Sequence, residues 1–475
     1  MGKSTHLFVT AIAFAVAVAL LLIPGTAAAV RADTSAVSGT SPGAVKWRLQ
    51  VSGQYVLQRP AVGPDGGVVV ASSTGDVYSV TAQGVLRWVV RSVASEGGPS
   101  IGADGTTYVA SGSTITAIAS NGSIRWTYTE PSVGQGVIAG PTVGPNGNIY
   151  VISDYGGLGA FALSPAGQLL WSNPGSPTFS EYGQLGAEIV FSQAGFFAAF
   201  DEYAVAPSTM FSLSLAGTQR WARTLGGSDD VFMQQQRQPA IGADGSLYLA
   251  AMGGANGWGL KRVDPNSGDV LWNYSPWPSN GMSPPSVGLD GSIYFSRSLA
   301  YLDSVAPNGQ LRWTFFDGSI IDHPAVSPDG SIVVAGNRPN FGEPGSARGW
   351  NASTGSLAWQ VDLPNENGGY QIAFTQPQFS ADSGTAYFGT AVLAGGDQYS
   401  FLYAVDTGVQ PLTQCVVPGV IGMTIEEARV QIREAGCSVL TRHRSTRLGR
   451  VIAQSPSAGA VRPLWSPVYL TVLYS

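Results

Sequence analysis

The chain has 475 residues and a formal net charge of −6; 44% of it is hydrophobic and only 11% charged, beside 62 Gly and 30 Pro. That balance excludes a disordered chain, which needs low hydrophobicity and high charge, and it excludes long surface helices laced with ion pairs. It suits many short strands joined by tight turns, over more length than one compact core holds unless the fold repeats.

Residues 1–29 read as an export signal. Lys3 supplies a positive start, Leu7 to Ile23 form an apolar run, Pro24-Gly25 breaks it, and Ala27-Ala28-Ala29 offers a small-residue cleavage site. Left uncleaved, that run is nearly long enough to anchor the chain in a bilayer, the one membrane contact expected. No cysteine lies near it, which excludes a lipid anchor there. The mature protein is expected to be extracytoplasmic, either secreted or associated with the cell surface or wall, where disulfides persist. Residues 30–42 read as a linker.

A tryptophan then follows a glycine turn eight times. GAVKW ends at Trp47, GVLRW at Trp88, GSIRW at Trp126, GQLLW at Trp171, GTQRW at Trp221, GDVLW at Trp272, GQLRW at Trp313 and GSLAW at Trp359. A second signature falls between them: a proline, a turn and an apolar strand, as in PAVGPDGGVVVAS from Pro60 and PAIGADGSLYLAA from Pro239. Asp-Gly and Asn-Gly are tight-turn signals, and the β-branched and aromatic residues after them read as strands. Three or four strands per ~40–50 residues make one blade of a β-propeller. Residues 43–409 therefore read as eight all-β blades, counting a worn fourth one in GAEIVFSQAGFFAAFDEYAVAPSTMFSLSLAGTQRW. The indoles are expected to fill the outward-widening wedge between blades, each worth ~3–5 kcal/mol against alanine. Gly43 to Trp47 has no proline–turn unit before it, and the unit from Pro377 has no tryptophan strand after it. The first strand should complete the last blade, which removes two exposed edges. The segments NASTGSLAW, VDPNSGDVLW and AVDTG (Ala404–Gly408) resemble the docking motif of pyrroloquinoline-quinone-type propellers: Ala-x-Asp, a short turn, Gly and then Trp. Most other copies lack the aspartate, so the resemblance is to the broad repeat family.

Residues 410–414 read as a second linker, and the segment from Cys415 to Ser475 changes character. Thr424 and Glu427 form a capping box; Ile425, Ala428, Ile432 and Ala435 share a helical face that Gly436 ends. VIAQSPSAGA and SPVYLTVLYS read as strand, turn and strand. With Val417-Pro418, Gly422-Met423-Thr424 and the Ser455-Pro456 to Gly459 turn, this small α+β unit resembles a PASTA domain, a module associated with penicillin-binding proteins and kinases. The resemblance implies contact with peptidoglycan. Cys415 and Cys437, the only cysteines, bracket the strand and helix, and a disulfide is expected over two buried thiols. Seven Arg against three Glu make the segment basic, whereas the body before it is acidic. An acidic body is no nucleic-acid ligand, and a basic tail favours an anionic polymer.

Candidate chemistry is sparse. Asp65, Asp104, Asp244, Asp290 and Asp329 recur at one turn position and are structural. Asp201, Glu202, Asp229 and Asp230 do not recur; they are candidates to gather around a cation, and Asp201 and Glu202 are candidate ligand contacts or carboxylates of a sugar-active propeller, but no ligand spacing is evident and an irregular acidic surface is expected. His323 and His443 lack any nucleophile motif, and Trp277 sits in the Pro/Gly-rich NYSPWPSNGMSPP, where an exposed ring would stack on a sugar or anchor a partner. Arg442, Arg444, Arg447 and Arg450 are candidate contacts for carboxylate or phosphate groups of a wall polymer. Quinone dehydrogenases of this propeller class carry adjacent cysteines beside the cofactor, which this sequence lacks. The expected function is a non-enzymatic binding or scaffold protein of the cell surface, with no cofactor or metal. Its expected partners are peptidoglycan or another anionic wall polymer, and a protein on the propeller rim. The competing readings are a quinone-dependent oxidoreductase, a carbohydrate-active propeller enzyme, and a scaffold for envelope-protein assembly.

Overall fold

The computed structural model describes residues 32–33 and 41–474, except 95, 132–136, 154–158, 174–182, 185–188, 193–194, 203–208, 225–237, 243–244, 252–258, 277–281, 298–299, 319, 339–343, 366–368, 374, 394–398, 410–413, 442–448 and 464–465. The signal segment and Trp258, Trp277, His443 and Trp465 lie outside the described residues, as do Asp229, Asp230, Asp244, Arg442, Arg444 and Arg447. Among the described residues no helix is long and apolar enough to cross a membrane.

Eight antiparallel sheets follow one another along residues 45–406. The first blade shows the pattern. Val56–Val62, Val68–Ser72, Val77–Val80 and Leu86–Val90 pair in chain order. Blades two to seven span residues 96–129, 137–173, 183–224, 240–274, 286–316 and 320–362. The second and third strands of the first blade are buried on both faces, because neighbouring sheets cover both. The turn aspartates do local work: Asp65 accepts from Gly67 N at 3.0 Å, Asp104 from Thr106 N at 3.0 Å and Asp290 from Ser292 N at 2.9 Å. The worn fourth blade is a sheet like the rest, with a long second strand, Gly195–Glu202.

The recurrent tryptophans hold the blades in a circle. Each indole N–H crosses to a carbonyl oxygen in the third-to-fourth-strand turn of the next blade. Trp47 donates to Ala82 (2.9 Å), Trp88 to Ser120 (2.9 Å), Trp126 to Pro165 (3.0 Å) and Trp171 to Leu215 (3.0 Å). Trp221 donates to Pro265 (3.1 Å), Trp272 to Pro307 (3.0 Å), Trp313 to Ala352 (3.0 Å) and Trp359 to Thr407 (2.9 Å). The glycine that opens each copy is the seat for the preceding ring. Gly84 has φ +82°, and a Cβ there would lie 2.6 Å from the Trp47 ring. Glycine is thus required twice over, for the left-handed turn and for the indole lying on it. The Gly-x-x-x-Trp spacing links a blade's receiving seat to its own outgoing ring.

The circle closes through the first strand. Val45–Ser52 pairs antiparallel with Tyr399–Asp406, Trp47 opposite Ala404, and completes the sheet of residues 370–406. The seat for Trp359 is therefore assembled from both ends of the body. Thr407 supplies the carbonyl, and Gly43, whose added Cβ would lie 3.2 Å from Trp359 Cβ, supplies the glycine. Gly43 N donates to Asp406 O at 2.8 Å, and Lys46 Nζ reaches Asp406 at 3.3 Å. Within the stretch expected to be linker, Ala32–Asp33 pairs with Leu49 and Arg48, using the free edge of that strand.

The C-terminal unit is a helix on a small sheet. Ser438–Thr441 runs parallel to Pro467–Tyr474, which pairs antiparallel with Gly449–Ser455. The helix Ile425–Glu434 starts after Thr424 and ends at Gly436, where φ is +71°. Ile425, Ala428, Ile432, Val451, Val468 and Leu470 form its core, beside a disulfide joining Cys415 to Cys437.

Candidate functional site

The two faces of the ring differ. On one, first-to-second and third-to-fourth strand turns are short and repeat almost unchanged, as from Val62 to Val68 and from Val80 to Leu86. The opposite face carries second-to-third strand hairpins and the links between blades. These vary from the short Phe316-to-Ile320 link to the long Thr224-to-Ala240 link. Irregularity on a rigid frame is where binding groups accumulate.

First strands surround the axis. On the side of blades two and three they close backbone to backbone: a Cβ on Gly140 would lie 2.8 Å from Gly98 O. On the other side a cavity of about 350 Å³ opens, lined by Arg59, Gln238, Ser286, Ser327, Gln376 and Gln378 among others. Gln376 Nε2 donates to Pro324 O at 3.3 Å and so ties blade eight to blade seven. Arg59, Gln238, His323 and Gln376 all stand immediately before a repeat proline. At Arg59 and His323 the chain departs from its ladder, with register shifts between Leu57 and Ala61 and between Asp322 and Ala325, and His323 takes φ 42°. Bulges of this kind re-aim side chains. The lining offers amides, hydroxyls and one guanidinium; among its described residues there is no carboxylate, imidazole or thiol. Such a surface suits hydrogen bonding to an uncharged polar ligand or an anion. Sequence reading missed these residues. The signal was available as the non-repeating residue before each repeated proline.

The other expected positions scatter. Asp201 and Glu202 end the second strand of blade four, where they pair with Gln184 and Gly183. Arg450 is exposed in the C-terminal unit, with Nη1 donating to Gly422 O at 2.8 Å. His323 lies on the innermost strand of blade seven, Ile320–Val326. Trp350 is fully buried against Phe315. The turn aspartates also hold arginines of the Gly-x-x-Arg-Trp copies: Arg87 reaches Asp65 at 2.6 Å and Arg125 reaches Asp104 at 2.7 Å. The Thr106 amide, with the Thr106 hydroxyl and Arg125, holds the Asp104 carboxyl below its ordinary range against the opposing pull of burial.

Residues 32–274 match the family model PQQ_2, described as outer membrane protein assembly factor BamB. The chain belongs to this family. Residues 416–472 match the PASTA domain model. Comparison with curated proteins returns no match. Among solved structures, BamB from Moraxella catarrhalis is 16% identical, with a TM-score of 0.54, over 75% of this chain and 98% of that one. A quinohemoprotein alcohol dehydrogenase from Pseudomonas putida is 13% identical, with a TM-score of 0.54, over 78% of this chain and 77% of that one. The quinohemoprotein alcohol dehydrogenase of Comamonas testosteroni is 15% identical, with a TM-score of 0.52, over 78% and 77%. At such identities the likeness is one of fold. PQQ_2 membership and eight closed sheets agree with the propeller expected from the repeats.

Proposed function

We propose that the protein is an extracytoplasmic binding or scaffold protein of the cell envelope. The propeller is the interaction platform, and the C-terminal unit is the contact to peptidoglycan. One observation carries this reading: a PQQ_2 propeller and a PASTA domain occupy one chain. The disulfide fits an oxidising compartment, and the axial cavity offers hydrogen-bonding groups suited to holding a ligand. The test is sedimentation with purified cell wall. The whole protein and residues 415–475, which carry their own core, are expected to pellet with the wall, whereas a chain ending at Val409 stays in the supernatant. Failure of both wall-binding forms to pellet removes the anchoring role.

A further inference from the structure

Blade six departs from the other seven at one exposed point. The third residue after the docking tryptophan is Gln50, Arg91, Thr129, Pro174, Thr224, Ser275 and Asp362 in the other blades, but Phe316 here. Phe316 ends the outer strand Leu311–Phe316 on the irregular face and is 61% exposed. A large exposed aromatic where seven equivalent positions hold none is informative in a way that a scattered leucine is not.

The ring is supported from below. Tyr301, directly opposite it across the sheet, lies 4.7 Å away between ring centroids. The Arg297 guanidinium sits 4.1 Å from the Tyr301 centroid. Arg297 in turn meets Asp303 at 2.6 Å, with side chains 6% and 0% exposed. Thr314 Oγ1 donates to the other Asp303 oxygen at 2.5 Å, and Tyr274 of blade five donates to Asp303 at 3.4 Å. A buried ion pair adds little net stability, so its use beneath an exposed ring is best read as a means of fixing position. Among the described residues the ring is left largely uncovered. The blade-six hairpin from Arg297 to Tyr301 and link from Phe316 to Ile320 are short, while the hairpins from Ala251 to Gly259 and from Arg338 to Ser346 in the flanking blades are longer. Gly318, beside the ring, takes φ +74°, a backbone conformation that favours glycine.

We infer that Phe316 and Tyr301 form a platform for a pyranose ring of a neutral polysaccharide. The charges described nearby are paired and largely buried, Arg297 with Asp303 and Arg348 with Asp317, which disfavours a charged ligand. A strand-like peptide would need only the free outer edge that other blades also offer, so it would not explain a ring confined to blade six. A sugar presents a flat C–H face to an aromatic ring and hydroxyls around its rim. The choice of sugar rests on the envelope reading above, although the platform itself does not.

The test is calorimetric titration of the full-length protein with a soluble β-1,4-linked N-acetylglucosamine hexamer. Saturable binding is expected, weakened roughly tenfold or more by F316A and restored by F316Y. Y301L, which removes the supporting ring and leaves Phe316, is expected to weaken binding as well. Thermal scans matching wild type show that each variant is folded. An absence of hexamer binding to the wild type, or equal binding by F316A, overturns the platform. Wall sedimentation separates the two readings, because anchoring through the C-terminal unit survives F316A.

Discussion

A glycine seat and an indole ring form one mechanical part, and their separate contributions are measurable. Gly84→Ala forces a left-handed backbone on a residue with a Cβ and drives that Cβ into the Trp47 ring, 2.6 Å away. Destabilisation of about 2–4 kcal/mol is expected in chemical denaturation. Gly147→Ala carries the same backbone cost at φ +80° with nothing within 4 Å, so about 1–2 kcal/mol is expected. Trp47→Phe keeps most of the buried area and loses the bond to Ala82 O, a change of about 0.5–1.5 kcal/mol. Tyrosines set a limit at high pH. Burial pushes the Tyr387 hydroxyl up to about 12, with Asp382 adding to it against the Thr385 hydrogen bond. The folded state therefore keeps a proton that the unfolded chain releases near pH 10. This stabilisation is complete below pH 10 and falls away as pH rises toward about 12. A loss of folded signal that tracks tyrosinate absorbance over that interval is the expected result.

Among the described elements, Val45–Ser52 supplies the N-terminal strand that completes the last sheet and so joins the two ends of the ring. Deleting residues 43–52 exposes the edge of Tyr399–Asp406 and removes half the Trp359 seat. The deleted chain is expected to lose its cooperative transition and to form larger species in size-exclusion chromatography. Lys46→Met, which removes a partly buried ion pair with Asp406 and hydrogen bonds to Gly384 O and Thr385 Oγ1, should cost about 1–2 kcal/mol by comparison. Most of this level was legible in the repeats. Asp-Gly turns, apolar strands and the mismatched ends of the body specify blades and closure, because each depends on local chemistry restated several times. The direction of the indole bonds was not legible, since it depends on which neighbour lies beyond each turn. The pre-proline residues Arg59, Gln238 and Gln376 and the Phe316 platform escaped for the opposite reason. They break the repeat, and a reading tuned to repetition passes over a single exception.

For the whole molecule, among the described residues the C-terminal core shares none with the cores between blades. Reduction of the Cys415–Cys437 bridge, which joins positions 22 residues apart, should remove roughly 3 kcal/mol from that unit alone. Calorimetry with a reductant is expected to lower one transition and leave the propeller's unchanged; a joint shift would show that the two units unfold together. The composite seat of Trp359 has another outcome, one of timing. Gly43 and Thr407 stand at opposite ends of the body, so in a chain that folds from its N-terminus the opening strand is expected to stay unpaired until the last sheet forms. Until the last few residues of the body emerge, the molecule is an open arc with two sticky ends. In that interval both ends would be open to proteases, whereas the closed circle pairs one with the other.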